Sequence, residues 1–183
     1  VAAGDKEGRA VTVVPKLYLS GGATNADPSL SIGGAMSSIP VSASKLNNLF
    51  DDISGDEAAA GRVDYRMVYC ENGGDIDWID PVAWLGYQPR NPDSPFTPNG
   101  AGVRFGFAYL GKNAEETATL DDTTAPDHVV FDGPSTKLTG TALPTPDYEA
   151  GDYIGIWVEY TTPEGQGYDS GADWSLIIEG DDA

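Results

Sequence analysis

His128 and Cys70 are the sole histidine and the sole cysteine of the chain, so imidazole or thiolate chemistry would have to start from them. Neither sits in a serine or cysteine hydrolase motif. His128 opens the apolar run His128-Val129-Val130-Phe131 after Pro126-Asp127 and reads as a surface residue at a strand end. Cys70 lies in an alternating run and reads as a small buried hydrophobe. One histidine and one cysteine do not make a zinc site without unusual carboxylate ligation. The paired acids Asp51-Asp52, Asp56-Glu57, Asp75 with Asp77, Asp121-Asp122 and Asp181-Asp182 are the residue types of glycosidases and hard-cation sites. Among 29 acidic residues such pairs arise readily, and none follows the calcium-loop pattern. Phosphate-loop and dinucleotide fingerprints are absent. The expectation is a protein that is no enzyme and holds no cofactor, with structural calcium left as an open alternative.

The aromatic residues are the other source of recognition chemistry. Tyr153, Trp157 and Glu159 share one face of the alternating run Tyr153–Pro163, opposite Ile154, Ile156 and Val158. With the aliphatic trio facing a core, Trp157 is expected to be exposed in an isolated subunit. Tyr153, Trp157 and Glu159 are therefore candidate partner contacts, joined by Arg90 and Phe96 from the stiff, proline-rich loop Gln88–Gly100. Exposed rings also stack on sugars, so a glycan-binding attachment module is an alternative of a different class. Alternation at Trp78, Trp84, Trp157 and Trp174 nonetheless favours core or interface packing.

The elements that hold these residues are short. Ser54 and Glu57 have capping-box spacing and Gly61 supplies an exit, which predicts one short helix. Arg62–Cys70 then alternates, with Val63, Tyr65, Met67 and Tyr69 expected on the core face. Asn72-Gly73 predicts a hairpin to a strand carrying Ile76, Trp78, Val82 and Trp84, interrupted at Pro81. Val11–Leu19 reads as a strand that Pro15 breaks or confines to an edge, and 103–110 as the clearest strand. Further strands are expected at His128–Phe131, Thr136–Thr139, Tyr153–Thr162 and Trp174–Glu179, the last two as a closing hairpin. Residues 111–127 read as a long loop, and Gly21–Ser38 is too poor in large side chains to order without contacts from elsewhere. This pattern predicts a mainly β fold: an antiparallel β-sandwich, jelly-roll or immunoglobulin-like, with one short helix. Residues 1–10 read as an extended N-terminal arm and 11–183 as a single sandwich domain.

The net charge of −19, with ten dispersed basic residues, opposes direct contact with nucleic acid or an anionic membrane. Apolar runs fall short of the roughly 20 residues that span a bilayer. The acidity fits a solvated, self-repelling coat or docking onto a basic partner.

The acidic joint Leu49–Gly61 running into Arg62–Cys70, with Leu17–Asn25 before it and Tyr153–Pro163 after it, resembles a family of tailed-bacteriophage virion structural proteins. The resemblance spans most of residues 17–180. It implies a virion component without placing it on the particle. Joined to the expected sandwich, the missing catalytic set and the N-terminal arm, it gives the expectation of a capsid decoration or cement protein on the major capsid protein lattice, assembled in the host cytoplasm, with a homo-oligomer such as a trimer. A tail, neck or tail-tip component is the alternative within that class.

Overall fold

The computed structural model describes residues 15–42, 48–51, 54–89, 102–134, 136–162, 164–165 and 172–182. The arm at 1–10, the run Val11–Val14 and the contact candidates Arg90 and Phe96 lie outside them.

Among the described residues eight strands form two antiparallel sheets, the mainly β, two-layer arrangement expected. The first sheet has the order β1 (Pro15–Leu19), β2 (Arg62–Asn72), β7 (Tyr153–Thr162), β4 (Val103–Phe107). The second is built on β3 (Trp78–Pro89). Along one side of β3 runs β8 (Ala172–Asp182), and along the other the short β5 (Thr141–Ala142) and β6 (Asp147–Tyr148) follow one another. Between the sheets lie Leu19, Val68, Cys70, Trp78, Leu85, Phe105, Tyr148, Ile154, Ile156, Val158 and Ile178. The helix α1 (Gly55–Ala60) forms as its caps dictate: Ser54 Oγ accepts from the Glu57 amide and Glu57 Oε2 accepts from the Ser54 amide at 2.8 Å. Gly61 leaves it at φ 72°, a conformation that favours glycine.

Pro15 begins an edge strand, and Pro81 breaks β3 as expected. The β3–β8 register shifts between Ile79 and Val82, with Asp80 at φ 45°. Other expectations need correction. Asn72-Gly73 turns the chain but makes no hairpin, because both edges of β2 are already taken by β1 and β7 and β3 enters the other sheet. Asn72 is instead a buried corner: its Nδ2 donates to the carbonyls of Ile76 and Tyr148, and its Oδ1 accepts from the Gly74 amide. The closing hairpin is likewise absent, since β7 lies between β2 and β4 while β8 pairs with β3.

His128–Phe131 is no strand. His128 adopts φ 63° in a turn, and of this segment only Asp132 pairs with β4, exchanging two 2.9 Å backbone bonds with Phe105. Pro134 O then accepts from Leu85 N, so this segment straps one sheet to the other. Thr136–Thr139 contains a 3-10 turn, Lys137–Thr139, capped by Thr136 in place of a strand.

The face assignment of β2 is also corrected. Val68 and Cys70 enter the core between the sheets, whereas Tyr65, Met67 and Tyr69 point to the opposite side. Register carries the same division to β7, pairing Val68 with Ile156 and Met67 with Trp157.

Candidate functional site

Tyr153, Trp157 and Glu159 do occupy the face of β7 opposite the core between the sheets. That face is not open. Trp157 is 0% exposed, which corrects the expectation that it projects from an isolated subunit. Two stretches of the chain cover it, 20–41 and 108–134. Met67, Tyr69, Ala108 and Trp157 form a second buried cluster, against which Tyr18, Met36, Tyr65, Val129, Phe131 and Tyr153 pack.

Small residues make the first covering stretch possible. Beyond Leu19, where β1 ends, Ser31 takes over the edge of β2: Met67 N donates to Ser31 O at 2.6 Å, and the Ser31 and Ser20 hydroxyls donate to Met67 O at 2.6 and 3.0 Å. Further along, Tyr65 N donates to Asp122 O at 2.7 Å, from the second stretch. The stretches also bind one another through Gly34 N to Glu116 O (2.8 Å) and Thr119 N to Ile32 O (2.9 Å). Gly33, at φ 101°, lets the backbones meet; a Cβ there would lie 2.6 Å from Thr117 O. The order that Gly21–Ser38 requires thus comes from its own chain.

Tyr69 joins both stretches, since its hydroxyl donates to Gly34 O at 2.6 Å and accepts from Glu116 N at 3.0 Å. Burial pushes the Tyr69 phenol from 10.0 up to about 12. A folded value above the unfolded one favours the native state below pH 10 and withdraws that support as pH rises through 12. Unfolding free energy should therefore fall across this window, by at most about 1.4 kcal/mol per pH unit from this group. In Tyr69→Phe the slope should flatten, while stability at neutral pH drops by about 1–3 kcal/mol because Gly34 O loses its buried donor. Urea titrations at stepped pH check this; identical slopes in both proteins would refute it.

The charged residues serve the same closure. Arg62 reaches Glu57 and Asp64 at 2.6 Å and Asp122 at 2.9 Å. Arg66, with its side chain 1% exposed, shares Asp122 at 3.1 Å, meets Asp51 at 3.4 Å and lies over the Phe50 ring. Burial raises the Asp64 carboxyl above its ordinary value, against the opposing pull of Arg62. Glu159 is buried and accepts from Arg104 at 2.6 Å, and Tyr153 is half-buried, donating its hydroxyl to Asn113 O. Lys16 pairs with Glu71, Lys112 with Asp152 and Lys137 with Glu179, so every described lysine and arginine is in an ion pair. The acid excess is left to face outward.

Cys70 is buried in the core between the sheets, where desolvation pushes its thiol well up, whereas His128 is on the surface against the Tyr109 ring. The fold does not bring them together. Asp121 is held below the usual carboxylate range by the Thr124 and Thr123 hydroxyls, as a turn-closing group. Among the described residues no group of three or more His, Cys, Asp and Glu is placed to hold a metal ion, and no helix is long and apolar enough to cross a membrane.

Sequence reasoning missed Ser20, Ser31 and Arg66, and took Asp122 only as one of a pair of candidate carboxylates. The readable signal was in β2, where apolar residues occur on both alternating faces and Arg66 stands among them. No protein-family model, no curated protein and no solved structure matches the chain.

Proposed function

We propose that the chain is a non-enzymatic structural component of a tailed-phage virion, a capsid decoration or cement protein that binds the major capsid lattice. The observation that carries the reading is the use of its charge: the described cations are all spent on internal ties, several of them fastening loop to sheet, which leaves a sandwich with an acidic exterior. Such a body suits repeated surface contact better than enclosure of a substrate. The pattern at 17–25, 49–70 and 153–163, similar to that of phage virion proteins, supports the same reading. Each attachment is modest, and stabilisation accumulates by mass action over many lattice positions.

Particles lacking the chain are expected to release their contents at a lower temperature while keeping normal tails, and added purified protein should restore them. Restoration through charge should weaken between about 0.1 and 1 M salt, as the screening length shrinks from about 10 to about 3 Å. Unchanged heat stability contradicts the capsid assignment, and defective tails would favour the tail alternative. The glycan reading loses its main platform, because Trp157 is buried.

A further inference from the structure

Among the described residues, no backbone group pairs with the outer edge of strand β8. Elsewhere the described sheet edges are occupied: Ser37, Ile39 and Val41 bond along β1, Asp132 along β4, and Pro134, β5 and β6 along the side of β3 away from β8. Leu85 N donates to Pro134 O and Pro81 O accepts from Leu143 N, so Pro81, Ala83 and Leu85 turn their backbone groups away from β8. Val82, Trp84 and Gly86 consequently bond to Glu179, Ile177 and Ser175, their register partners. Leu176 and Ile178, between those positions, must direct N–H and C=O to the outer edge, where no described backbone group meets them. The strand is eleven residues long and contains no proline to blunt that edge.

Charge selects the occupant. β8 carries Asp173, Glu179, Asp181 and Asp182 and no lysine or arginine of its own; Lys137 meets Glu179 at 3.0 Å, which leaves the three aspartates as its excess charge. Full antiparallel overlap of two β8 strands would set Asp173 of each copy against Asp181 of the other, and like charges directly opposite are unfavourable. We propose that β8 accepts an extended, lysine- or arginine-bearing segment of a different protein as an added antiparallel strand. Backbone bonds to Leu176 and Ile178 give the attachment, and a basic sequence matching the strand's acidic composition gives its selectivity. That the segment belongs to another protein rests on the reading of the chain as a docked structural component.

The test uses the full chain and the synthetic peptide acetyl-Lys-Val-Lys-Thr-Lys-Val-Lys-Thr-amide, with amide exchange followed by NMR. Exchange at Leu176 and Ile178 is expected to slow about tenfold or more at saturating peptide, reflecting backbone pairing. A peptide of equal charge, N-methylated on alternate backbone nitrogens, should leave those amides unchanged. The double variant Asp181→Asn, Asp182→Asn should weaken the unmodified peptide about fivefold or more, with an unchanged melting curve showing that the fold is kept. Absence of slowing at Leu176 and Ile178 overturns the proposal, as does equal slowing by the N-methylated peptide or unchanged affinity of the double variant. A dimer that already protects both amides without peptide overturns it in favour of a second copy. A positive peptide result beside particles of unchanged heat stability would keep the strand site and reject the capsid reading.

Discussion

Trp157→Ala should destabilise the protein by about 3–5 kcal/mol, the range for deleting a large buried ring. Trp157 has no solvent exposure and sits with Met67, Tyr69 and Ala108 beneath Met36, Val129 and Phe131. Its indole nitrogen has no hydrogen-bond partner among the described residues, so the loss is one of packing. The cavity would lie between a sheet held by its ladders and loops held by Ser31, Tyr69 and Asp122, which limits collapse. At about 2–4 °C per kcal/mol for a chain of this size, the melting temperature should fall by roughly 6–20 °C. Urea denaturation of Trp157→Ala and Trp157→Phe measures it, with phenylalanine recovering much of the loss. A change within about 0.5 kcal/mol for alanine would be that of a surface position and would refute the burial.

The second large effect is a contrast in sign around Asp122. Asp122→Ala should cost up to about 3–5 kcal/mol, since among the described carboxylates it leaves the buried Arg66 guanidinium only the largely exposed Asp51 at 3.4 Å, beside the neutral Tyr65 carbonyl at 3.0 Å. Arg66→Met, which exchanges the buried charge for an apolar chain of similar length, should be near neutral or stabilising. Asp122 retains Arg62 in that variant, so no carboxylate is stranded. The Tyr65 amide, bonded to Asp122 O, should exchange faster in Asp122→Ala and at its original rate in Arg66→Met. Equal destabilisation by both substitutions would show that the arginine contributes as an ion-pair partner and not as a charge requiring compensation.

Local features were legible where neighbours in sequence decide them. Ser54, Glu57 and Gly61 set the helix through their own backbone, and Pro15 and Pro81 cannot donate to a ladder whatever surrounds them. Pairing was not legible, because Asn72-Gly73 specifies a change of direction without specifying the sheet entered next. The same gap turned β7 and β8 into an expected hairpin. Face assignment failed for a further reason: alternation shows that two faces differ, but both faces of β2 and β7 are buried, one by the opposite sheet and one by loops. Gly21–Ser38 read as too poor in large side chains to order without contacts from elsewhere, and where those contacts lie was not legible. Smallness lets Gly33 approach Thr117, and the hydroxyls of Ser20 and Ser31 satisfy Met67 O beneath it.

The closed face is tested most directly by fluorine NMR of 5-fluorotryptophan-labelled protein, with the Trp157 resonance identified by its loss in Trp157→Phe. A soluble gadolinium chelate should leave that resonance sharp in the free protein, as the covering loops require. Strong paramagnetic broadening of the same line would place the indole in solvent and contradict the account.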